Sequence, residues 1–122
     1  MNDNPTSTEL VSRMLQACKN IIFSTSNLNS PEDITKDTYA LENTDICLSI
    51  ILETRNSLDK EVRDQLADID WDKIQLIIQT IRKQHKTDED YCKGLHAYKN
   101  DLPMLKAKLE AHLANARLNA QK

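Results

Sequence analysis

Glycine is nearly missing from this chain, with one in 122 residues, and proline occurs only three times. So few turn formers cannot serve the many tight reversals of an all-β fold. Aromatic residues are also sparse, at 4%. Leu, Ile and Ala supply most of the apolar side chains, a set suited to packing helix against helix. No apolar run approaches the ~18 residues that would span a bilayer. The first residues carry no secretory pattern, so a cytoplasmic protein without membrane contact is expected. Three cysteines, Cys18, Cys47 and Cys92, are odd in number and far apart. They form no close pair and no metal-ligand spacing, and read as buried small apolar residues in a reducing compartment. There is no excess of positive charge: the net charge is −3. A surface that coats nucleic acid is thereby excluded, though a small local cationic site is not. A Gly-rich phosphate loop, a zinc-spaced His pair and a nucleophile beside a His are all lacking. No metal and no cofactor are expected.

What remains is strongly patterned. In the stretch Ile69 to His85, Asp70 reads as an N-cap whose carboxylate accepts from first-turn N–H groups. Trp71, Ile74, Ile78, Ile81 and His85 recur at spacings of three or four, which places them on one helical face. Arg82, four residues after Ile78, continues that face. The stripe is apolar at its start and turns to Arg and His at its end. Its first part can be core; its last part must meet solvent, an acidic partner or a polyanion. Lys83 and Lys86 fit the ordinary preference for cations near a helix C-terminus.

Taken in order, Met1 to Pro5 reads as a flexible leader, and Thr6 with Glu9 forms a capping-box pattern. A first helix is expected from about Thr8 to Phe23, with Leu10, Val11, Met14, Leu15, Cys18, Ile21 and Ile22 inward. Ser30-Pro31-Glu32-Asp33 opens a short helix carrying Ile34. A longer helix follows, with Tyr39, Ala40, Thr44, Cys47, Leu48, Ile51 and Leu52 on its buried face. Ser57 reads as the cap of another short helix, ending near Leu66, where Asp59 and Glu61 also serve capping. After the central helix, acids at Asp88, Glu89 and Asp90 start a helix with Tyr91, Cys92, Leu95 and Tyr98 inward. Gly94 weakens that helix by ~1 kcal/mol relative to Ala. Asp101-Leu102-Pro103 restarts or kinks the chain into a last helix with Leu102, Leu105, Leu109 and Leu113 inward. Glu42, Asp45 and Glu53 read as solvated face rather than a metal site, and His96 and His112 as isolated and exposed. The fold expected is all-α: one domain over residues 1–122, an antiparallel up-and-down bundle of four to five helices, with loose ends at 1–6 and 116–122.

The order of landmarks resembles the HepT-like branch of the HEPN superfamily, small helical proteins encoded beside minimal nucleotidyltransferases in toxin–antitoxin pairs. Four stretches carry the likeness: Ser30 to Asp33; Asp45-Ile46-Cys47-Leu48-Ser49-Ile50-Ile51-Leu52-Glu53-Thr54; Leu66 to Ile74, similar to the family's Ile-Pro-Trp-x-x-Ile; and Asp101-Leu102-Pro103-Met104-Leu105. Together they span roughly Met14 to Leu113. The resemblance implies a homodimer, a nucleotidyltransferase antitoxin as partner and a metal-independent endoribonuclease site for RNA at the dimer cleft. The family's signature there is Arg, four to six residues, then His. Counted without gaps from Trp71, its Arg falls on Ile78 and its His on Lys83, so the signature is broken. Arg82 and His85, one turn on, are the displaced candidates: Arg82 would bind the scissile phosphate, and His85 would act as general acid or base. Tyr91 is the candidate for the family's modified Tyr, and Trp71, Ile74 and Ile78 for the dimer interface. The alternative is a non-catalytic helical subunit that binds a partner or positions substrate for a nucleotidyltransferase or an RNA-processing assembly, since apolar Ile78 cannot hold a phosphate.

Overall fold

In the computed structural model, which describes residues 6–120 and side chains as far as Ala116, every regular element is helical. The order is α1 (Ser7–Ser24), α2 (Pro31–Lys36), α3 (Thr38–Asn56), α4 (Lys60–Gln65), α5 (Trp71–Ile81), α6 (Asp88–His96) and α7 (Leu102–Ala120). A π-helical turn, Ala97–Asp101, joins α6 to α7. Residues 1–5, 121 and 122 of the expected loose ends lie outside the described residues. The backbone of α7 continues through residue 120.

The helix starts follow from local chemistry. Thr6 accepts from the Glu9 N–H, Ser30 from Asp33, Asp37 from Ala40, and Asp70 from Lys73. Each satisfies a backbone donor that a first turn leaves without a partner. Thr87 and Asp90 close a full capping box. The start of α4 differs from expectation. Ser57 ends α3 instead, and Asp59 occupies the N-cap without a side-chain cap bond. Its carboxylate accepts from the Ser7 hydroxyl at 3.3 Å, which ties α4 to the start of α1.

Neighbouring helices run antiparallel. Asn43, early in α3, donates to Ser24 at the end of α1. Arg82 and Trp71, at opposite ends of α5, meet α3 at Asp45 and Arg55 respectively. α1 lies between α3 and α7. Val11, Met14, Cys18 and Ile21 pack there with Leu48, Ile51, Leu102 and Leu109. All eight of these side chains are almost fully buried. The one buried polar pair inside the described core is satisfied: Thr44 and Tyr98 hydroxyls lie 3.1 Å apart, and Thr44 donates to the Ala40 carbonyl.

Asp101-Leu102-Pro103 does not break the chain. Pro103 lacks the N–H that an α-helix needs, and the backbone absorbs this by widening one turn. The Leu102 N–H bonds to the Ala97 carbonyl, five residues back. α6, the π turn and α7 thus form one long rod that carries Tyr98 inward. Tyr39, expected inside, is 71% exposed. α3 is apolar on two sides, and Tyr39 belongs with Ile46 and Ile50 on the outer one. Cys18 and Cys47 are buried as expected, whereas Cys92 is exposed.

Candidate functional site

The central helix α5 behaves as its pattern requires along its first ten residues and departs from it at the end. Ile74, Ile77 and Ile78 are buried in the chain's own core. Of the residues expected at a dimer interface, Ile74 and Ile78 keep only 3% and 6% of their exposure within a single chain. Trp71 is half-buried and also locally engaged. Its indole N–H donates to the Leu66 carbonyl at 3.2 Å, and the Arg55 guanidinium sits 4.8 Å over the ring. That stacking is a cation–π contact within the chain.

The cationic end is drawn into the same framework. α5 stops at Ile81, and Arg82 is its C-cap. The Arg82 Nε donates to Asp45 Oδ2 at 3.0 Å, and one terminal nitrogen donates to Asp45 Oδ1 at 2.8 Å. The same nitrogen also reaches the Ser49 hydroxyl at 3.0 Å. This is the two-pronged geometry in which a planar guanidinium binds a carboxylate best. The Arg82 bond holds Asp45's carboxyl below the ordinary carboxylate range, and Asp45 in turn raises Arg82 further. Asp45, expected on a solvated face, clamps α5 to α3.

His85 lies beyond the helix, exposed in the turn that follows, and shares none of these partners. The helical spacing that would align it with Arg82 does not exist past Ile81. Lys83 crosses to Asp90 at 3.0 Å, so the chain turns from α5 into α6 around an ion pair. Asp90 is buried and receives the Thr87 backbone N–H as well. That bond and the Lys83 ammonium hold its carboxyl down at about 2. Tyr91 follows at the start of α6, half-buried.

Tyr91 lines a groove of about 290 Å³. Its apolar walls come from Ile34 of α2, Leu41 of α3, Ile77 and Ile81 of α5, and Gly94 of α6. Leu76, 60% exposed, stands on its edge. Lys73, Lys86 and Lys93 border it, as do His96 and Asp101. Asp101 in the π turn takes Lys73 at 3.3 Å and lies 3.8 Å from His96. His96 is therefore exposed but not isolated, and His112 is half-buried. One signal in the sequence pointed here: Leu76 falls off the buried stripe of α5, an apolar residue on a polar side.

Burial pushes the Cys18 thiol up to about 12 and raises Cys47, so neither supplies a thiolate nucleophile. Among the described residues no group of three or more His, Cys, Asp or Glu could hold a metal ion, and no helix is long and apolar enough to cross a membrane. No protein-family model, curated protein or solved structure matches the chain.

Proposed function

We propose that this chain is a HEPN-like helical bundle acting as a non-catalytic interaction subunit, a partner-binding or substrate-positioning companion of a minimal nucleotidyltransferase or an RNA-processing assembly. The observation that carries this reading is the engagement of Arg82. A guanidinium held at both prongs by Asp45, with Ser49 behind, is committed to joining α5 to α3. Binding a scissile phosphate would require giving up that pair, and His85 is not placed to work beside it. The surface free for association is the outer stripe of α3. Tyr39, Ile46 and Ile50 are 71%, 61% and 41% exposed, at spacings of seven and four that put them on one side of the helix. Large apolar residues left outside in such a row suit a partner or a second copy better than water.

Two measurements test the reading. Purified protein incubated with total RNA should leave it intact, and Arg82→Ala and His85→Ala should match the wild type. Ile46→Asp should leave the folded chain intact but abolish its association with itself or with the nucleotidyltransferase, read by light scattering after size exclusion. RNA cleavage lost on either Arg82→Ala or His85→Ala would overturn the reading.

The ribonuclease reading retains one observation in its favour. Arg82, Lys83 and His85 stand exposed within four residues of one another, with Lys86 beside them. That is a compact cationic turn in a chain of net charge −3.

A further inference from the structure

The groove beneath α6 combines two properties. Its walls are apolar and open to solvent at Leu76, and its charged border is cationic although the chain is acidic. The acids on that border are already matched. Asp90 is paired with Lys83, and Asp101 with Lys73. Lys93 has only the exposed i,i+4 contact with Glu89, at 3.4 Å, which is a weak claim on its charge. Lys86 is half-buried, and among the described residues it has no carboxylate within salt-bridge reach. Its ammonium donates to the Lys83 carbonyl at 3.0 Å, leaving two of its three donors for another acceptor.

We infer that this groove is a binding site for a small amphiphilic carboxylate, a short acyl chain or single aromatic ring lying against Ile77, Ile81 and Tyr91 with its carboxylate at Lys86 and Lys93. The size fits: about 290 Å³ stands at the lower bound of small-molecule sites, about 300–1,000 Å³. The volume suits one ring or a short chain. The charge fits too, because a bound carboxylate supplies an anionic partner for Lys86, which among the described residues has only its bond to the Lys83 carbonyl, and charge-assisted hydrogen bonds are the stronger kind. This inference stands apart from the partner-binding reading, which uses the outer stripe of α3.

The test is a titration of the full chain with hexanoate, octanoate and decanoate, followed by calorimetry and by amide shifts. Saturable one-to-one binding is expected, tightening about fourfold per added methylene until the groove is full. Lys86→Ala should weaken octanoate about tenfold while leaving 1-octanol unchanged. Thr80→Trp, which fills the groove from α5, should remove both. Circular dichroism checks that each variant is folded, and Lys86→Ala carries the test alone if Thr80→Trp is not. Absence of saturable octanoate binding at millimolar concentration overturns the inference. So does binding indifferent to Lys86→Ala, which would place the site elsewhere. If octanoate fails while a helical peptide of Glu and Leu shifts the amides of α5 and α6, the occupant is a protein segment and the inference falls.

Discussion

The two sides of this bundle are built on different principles. Around α1, apolar side chains of α3 and α7 close on one another: Val11, Met14, Cys18, Ile21, Leu48 and Leu109 are fully buried. Around α5 and α6, ion pairs span the gaps instead, Arg82 to Asp45, Lys83 to Asp90 and Lys73 to Asp101. An apolar groove stays open there. Close packing gains dispersion and hydrophobic energy from every contact and holds one arrangement. Ion pairs with one partner in water fix direction but contribute less than such packing. The α1 side is therefore the stable scaffold. The α5–α6 side is where low packing leaves room for a ligand and for local opening.

Leu109→Ala should give the widest contrast between the two. Deleting a fully buried Leu costs about 2–5 kcal/mol, whereas Ile81→Ala, at a half-buried groove position, should cost less than half as much. Urea unfolding of the two variants measures this, and equal losses would show that the two sides are packed alike.

Asp90→Asn sharpens the comparison through pH. The Asp90 carboxyl is held down at about 2 from an ordinary 3.8. A depressed carboxyl contributes stability that is fully present above its unfolded value and lost as pH falls through the folded one. Wild-type stability should therefore fall between pH about 4 and about 2, and Asp90→Asn, already weakened at neutral pH, should show a shallower decline there. Parallel acid-unfolding curves for the two proteins would mean that the ion pair at the α5–α6 turn does not hold it.

Gly94→Ala should act in the opposite direction and modestly. An added Cβ would meet Ile34 Cδ1 at 3.7 Å, an ordinary contact. Exchanging Gly for Ala within a helix should then raise stability by up to about 1 kcal/mol. A lower melting temperature would show that the groove cannot accept even one methyl group.

Arg82→Ala should have the smallest effect on folding, because the Arg82 side chain is 57% exposed. Its signature is electrostatic: without Arg82, the Asp45 carboxyl should titrate closer to its ordinary value, readable by carboxyl-carbon NMR. An unmoved Asp45 would show that the clamp is not populated in solution.

The amino-acid order by itself determined the helical class, the starts of α1, α2, α5 and α6, and most of the core. These depend on neighbours three or four residues away: a Thr6 or Ser30 side chain reaching the third N–H, or Leu102, Leu105, Leu109 and Leu113 sharing one face. Only the tertiary structure decided which partner each face meets. The strip Trp71, Ile74 and Ile78 was legible as apolar, but a periodic strip looks the same whether it faces its own core or a second copy. Arg82 was legible as a cation at a helix end, but its partner Asp45 is 37 residues away, beyond any local pattern. The groove was least legible of all, since its walls come from four helices and an empty volume has no residue of its own. Pro103 shows the boundary clearly: its missing N–H announced a disturbance, and the packing of Tyr98 and Leu102 just before it turned that disturbance into one widened turn rather than a break.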